Sequence, residues 1–73
     1  MTVSPGTQSL TVNGDQLALE DSTTIGALLG RLQVRPERVV VELNGTIHRR
    51  GEGLDQPLKA GDVVEIVHFV GGG

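Results

Sequence analysis

Two Asn-Gly dipeptides, Asn13-Gly14 and Asn44-Gly45, each sit between short runs of alternating or β-branched residues. Asn and Gly adopt positive φ more readily than other residues, and a two-residue turn between antiparallel strands requires it. Each dipeptide therefore commits its flanks to a strand-turn-strand unit. Before the first turn, Ser9-Leu10-Thr11-Val12 alternates polar and apolar, and after it Gln16-Leu17-Ala18-Leu19-Glu20 alternates again. Leu10, Val12, Leu17 and Leu19 are expected to share one buried face. Before the second turn, Arg38-Val39-Val40-Val41-Glu42-Leu43 is rich in β-branched residues, and Thr46-Ile47-His48 is its short partner strand.

Between the two units lies the one helical pattern. Asp21-Ser22-Thr23-Thr24 offers several N-cap side chains, and Ile25, Leu28, Leu29 and Leu32 recur at helical spacing on one stripe. Gly26 and Gly30 fall on its flank. Each weakens an isolated helix by up to about 1 kcal/mol relative to alanine, so the helix must rely on packing. Simple tolerance of these glycines is a better reading than close approach by a partner. Pro36 cannot extend the helix and biases Arg35 away from helical angles, which predicts a turn at Arg35 to Glu37.

Arg49 to Pro57 reads as a loop pinned to the core by Leu54 and Leu58, and Lys59-Ala60-Gly61-Asp62 reads as a turn. Val63 to Val70 is the most β-prone stretch and leads directly into Gly71-Gly72-Gly73. The expected class is α+β, a mixed sheet of four to five strands packed on one helix. The organisation is a flexible leader over residues 1–6, one domain over 7–70 and a flexible glycine tail over 71–73.

Composition narrows the function classes. At 73 residues there is room for one domain near the size at which a single core suffices, and a large enclosed active site is not expected. The absence of cysteine excludes disulfides, thiolate zinc sites and a cysteine nucleophile. Phe69 is the sole aromatic residue and the net charge is -3, so neither base stacking nor phosphate binding is favoured and nucleic acid is a poor partner. Met1 to Gly6 lacks a basic and apolar signal pattern, and no apolar run reaches membrane-spanning length. A soluble, cytoplasmic protein without membrane contact is the expectation.

Charge fixes which side of the last strand faces outward. Burying an unpaired carboxylate is costly, so Glu65 points to solvent, and with it Val63, Val67 and Phe69, while Val64 and Ile66 point inward. Glu42 outward places Val40 outward and Val39, Val41 and Leu43 inward. If the two strands are neighbours, Val40, Val67 and Phe69 form an exposed apolar patch beside the root of the tail, a feature that tends to mark a binding surface. The alternative is a twist or bulge that reverses the pattern near the strand end.

Catalytic chemistry is not evident in the body of the chain. His48 and His68 lack ligand spacing, so no metal site is expected. Ser9 and Ser22 lack the setting of a nucleophile elbow, and the glycines form no phosphate fingerprint. The end of the chain is different. Three glycines after an apolar strand reach roughly 10 Å when extended, and without side chains they can thread a narrow cleft and present a terminal carboxylate. A frayed end is the competing reading.

Val40-Val41-Glu42-Leu43-Asn44-Gly45, Gly61-Asp62-Val63-Val64-Glu65-Ile66-Val67 and His68-Phe69-Val70-Gly71-Gly72-Gly73 together resemble the thiamine-biosynthesis sulfur carriers, the ThiS family, over about Thr7 to Gly73. The resemblance implies a ubiquitin-like β-grasp fold and a carrier rather than an enzyme. It implies that an ATP-dependent adenylyltransferase activates the carboxylate of Gly73 and that a persulfide donor converts it to a thiocarboxylate. That group then supplies a thiazole synthase. Gly72 and Gly73 would be the tail that enters both partners' sites, with Gly71 as its flexible root, and Val67 and Phe69 docking contacts beside Val40. ATP would be consumed by the activating partner, with no cofactor bound to the chain. The small subunit of molybdopterin synthase, a carrier for another sulfur pathway and a non-catalytic β-grasp interaction module are the alternatives.

Overall fold

The computed structural model describes residues 8–21 and 23–68, and in it both Asn-Gly dipeptides form the turns their flanks require. Strand β1 (Ser9–Val12) pairs antiparallel with β2 (Asp15–Ala18), with Leu10 opposite Leu17. Asn13 and Gly14 have φ of 49° and 87°, the doubly positive geometry whose twist matches that of the flanking strands. Strand β3 (Val39–Leu43) pairs with β4 (Thr46–His48) around Asn44 and Gly45 at 51° and 88°. The second strand begins and ends slightly earlier than the alternation suggests, leaving Leu19 just beyond it but still packed on the core.

Helix α1 (Ile25–Arg31) starts where the cap residues place it, the Thr24 hydroxyl accepting from the Ala27 N–H at 3.1 Å. The remaining free donors of its first turn are taken by the long loop: Ile25 N–H bonds to the Gln56 carbonyl and Gly26 N–H to that of Leu54 at 2.8 Å. Leu58 N–H returns a bond to the Thr23 carbonyl, so the loop is stitched to the helix start as well as pinned by Leu54 and Leu58. The helix stops at Leu32, and Gln33 takes up left-handed angles (φ 60°) while Val34 N–H bonds to the Leu29 carbonyl. Pro36 opens a single 3-10 turn, Pro36–Arg38, which absorbs Arg38 before β3 begins.

The two helix glycines differ, which corrects the reading of both as merely tolerated. A Cβ at Gly26 would lie 3.0 Å from the Leu54 carbonyl oxygen and 3.2 Å from the Leu54 Cβ, whereas one at Gly30 meets nothing within 4 Å. Close approach is needed at Gly26, and the approaching group is the chain's own loop. Gly30→Ala should therefore raise stability by about 0.5–1 kcal/mol through helix propensity. Gly26→Ala should forfeit that gain by displacing the loop carbonyl. Urea midpoints of the two variants check this.

The last strand, β5 (Val63–His68), enters the centre of the sheet. Among the described residues the strand order is β2-β1-β5-β3-β4, with β5 parallel to β1 and antiparallel to β3. One face of this five-stranded sheet is covered. Leu10 and Val12, Val64 and Ile66, and Val39, Val41 and Leu43 form a single core with Ile25, Leu28 and Leu29 of the helix and Leu58 of the loop. The arrangement is the β-grasp architecture. Among the described residues no helix is long and apolar enough to cross a membrane.

Candidate functional site

Strand β5 is the element that leads to the end of the chain, and both Asn-Gly turns hold its backbone. Asn13 does more than turn. Its side-chain oxygen accepts from the Ile66 N–H at 2.7 Å, its amide donates to the Ile66 carbonyl at 3.4 Å, and its own N–H bonds to the Val64 carbonyl. A side-chain amide thus extends the β1 edge of β5 beyond the point where the two strands stop pairing. On the other flank the Asn44 oxygen accepts from the Val63 N–H at 2.8 Å, and Asn44 N–H bonds to the Val63 carbonyl. The Asn44 amide also donates to Asp62, whose second carboxylate oxygen accepts from the Lys59 N–H. Asp62 is buried and satisfied by these contacts, which explains a buried carboxylate beside an otherwise aliphatic core.

Alternation along β5 follows the pattern that Glu65 sets. Val64 and Ile66 are buried, while Val63 (47% exposed), Glu65 and Val67 (60% exposed) face outward. On β3, Val39, Val41 and Leu43 are buried, while Val40 and Glu42 are half-buried rather than fully exposed. The two strands are adjacent and in the register that the patch needs: Val40 lies directly opposite Val67, and Glu42 directly opposite Glu65.

Val40 and Val67 are therefore brought together on the uncovered side of the sheet. Phe69, Gly71, Gly72 and Gly73 lie outside the described residues. One member of the face was missed from the sequence. Ile47, 63% exposed on β4, is the register partner of Glu42 and so shares its side. The Asn44-Gly45 turn fixes that register, and counting outward from it would have put Ile47 beside the outward-facing Glu42. Among the described residues no cluster of His, Cys, Asp or Glu could hold a metal ion.

The model of the ThiS family matches residues 7–73. A thiazole synthase from Magnetococcus marinus is 40% identical over 62 residues, 85% of this chain but 19% of that protein. The chain thus spans about a fifth of the length of such synthases, one from Paramagnetospirillum magneticum included at 39% identity. The sulfur carrier protein ThiS of Bacillus subtilis is 40% identical over 65 residues, covering 88% of this chain and 98% of that one. A crystal structure of the thiamine biosynthesis protein ThiS from Geobacter metallireducens superposes with a TM-score of 0.70 at 38% identity, over 89% of this chain and 99% of that one.

Proposed function

The chain belongs to the ThiS family, and from that premise we propose that it is a carrier that holds sulfur as a thiocarboxylate at Gly73 for thiazole formation in thiamine biosynthesis. The observation that carries this reading is that the family match runs through the final Gly71-Gly72-Gly73 and does not stop at the folded domain. The carrier, cosubstrate to other enzymes, needs no catalytic group of its own.

The chemistry explains why the glycine end is the working part. A carboxylate resists nucleophiles because of its charge and its poor leaving group. An adenylyltransferase removes both obstacles: a Gly73 carboxylate oxygen attacks the α-phosphorus of ATP, pyrophosphate leaves, and an acyl-adenylate results. A persulfide sulfur then attacks the acyl carbon and AMP departs; cleavage of the remaining S–S bond by a thiol leaves the thiocarboxylate. Phe69 to Gly73, five residues, can span at most about 17 Å beyond His68. That reach separates the reacting carbon from the domain and lets the partners supply every catalytic side chain.

The domain has two tasks in this scheme. It fixes the tail's point of departure, which the paired flanks of β5 and the Asn13 and Asn44 contacts accomplish. It also docks, through Val40, Val67 and Phe69 with Ile47 beside them. A thiazole synthase as recipient is supported by synthases that contain a segment similar to this chain. The names of the relatives favour the thiamine pathway over molybdopterin synthesis.

Intact mass tests the proposal. After incubation with ATP, a matched adenylyltransferase and a persulfide donor, the chain should gain roughly 16 Da, oxygen replaced by sulfur at the activated acyl group, localised to Gly73. No gain with a partner shown to be active would overturn it.

A further inference from the structure

On the uncovered sheet face Glu42 and Glu65 are direct register partners on adjacent antiparallel strands. Directly opposed residues hold their Cβ atoms only about 4.5–5.5 Å apart, and like charges so placed oppose strand pairing. Neither carboxylate has an ion-pair partner among the described residues. Their surroundings are apolar: the next row toward the tail is Val40 opposite Val67, Ile47 lies across from Glu42, and Val63 is two residues before Glu65 on the same side. The free domain thus keeps a repulsive pair in the middle of its most apolar exposed surface.

We propose that Glu42 and Glu65 together receive one cationic side chain, a lysine or arginine, of the protein that docks on this face. The inference rests on the reading of the face as the docking surface and specifies the chemistry of its occupant. A partner that covers Val40, Val67 and Ile47 also covers the two carboxylates between them. Removing two like charges from water without a counter-charge is prohibitive, so such a partner must bring a cation or be rejected. A guanidinium can bridge both carboxylates with its forked donors, and an ammonium can bond to each in turn. The pair then selects among apolar partners, since a surface lacking the cation is penalised even where its shape fits. A metal ion is a poorer occupant: two carboxylates on a flat sheet supply too few ligands for a hard divalent cation.

The test compares Glu42→Gln/Glu65→Gln with Val67→Asp, each measured for melting temperature as the free chain and for affinity toward the matched adenylyltransferase. The double glutamine variant should melt no lower than the parent, because a repulsion has been removed, yet bind at least about tenfold more weakly. Val67→Asp should also bind more weakly. If the double variant binds as tightly as the parent while Val67→Asp does not, the cation inference is overturned and the docking face stands. If Val67→Asp also binds as tightly, the docking face itself is wrong and the inference falls with it.

Discussion

Removing Gly72 and Gly73 is expected to abolish sulfur loading entirely and to leave the melting temperature of the domain where it was. The core cluster runs from Leu10 to Ile66, and the described contacts that hold β5 run from Val63 to its pairing with β3 at His68, so none of these depends on the last two residues. The reaction, in contrast, needs the carboxylate at a set reach. Adding one residue after Gly73 should be nearly as damaging as deletion. It moves the carboxylate by about 3.3–3.6 Å when extended, and a misplacement of even 1 Å at a reacting centre can lower a rate by about a hundredfold. Intact mass and a thermal melt on the same samples give both readouts. Loading retained by either variant would remove Gly73 as the acceptor, whatever the affinity of the docked complex.

The two signals behind the fold are local ones, and the features that escaped are those that join distant segments. Asn13-Gly14 and Asn44-Gly45 specify their turns through backbone preference alone, and Glu65 orients a whole strand because the side-chain period is two. Nothing local announces that β5 inserts between β1 and β3, since a parallel pairing across 52 positions, Thr11 with Val63, leaves no mark in either segment. The same limit hid the second role of Asn13, whose partner Ile66 is 53 residues away, and the need for glycine at Gly26, which exists only because Leu54 arrives there. The exact helix end was not legible for a different reason: Gln33 adopts left-handed angles without being Gly or Asn, so the stop carries no residue signature and the nearest breaker in the sequence is Pro36, three residues on. At the site, Val40 and Val67 were legible by alternation, whereas Ile47 required a strand register that spacing alone supplies only once the turn type is fixed.

Leu29→Ala is expected to cost about 2–5 kcal/mol, the range for truncating a buried leucine. Leu29 is 1% exposed, sits in the core with Leu28 and Ile25, and its carbonyl receives the Val34 N–H that closes the helix end. Few replacement atoms are at hand in so small a core, so the cavity should relax little. A domain of 73 residues has a total stability on the order of 4–11 kcal/mol at typical values per residue, and the substitution therefore removes from about a fifth to nearly all of it. The urea midpoint should fall with the slope unchanged. Sulfur loading should fall only in proportion to the unfolded fraction, and a saturating docking partner should restore it by mass action. Truncation of the tail behaves oppositely, with stability intact and loading beyond rescue. A Leu29→Ala variant that loses less than about 1 kcal/mol would mean that the helix can slide to refill the site, which the carbonyl contact to Val34 and the Gly26–Leu54 approach both oppose.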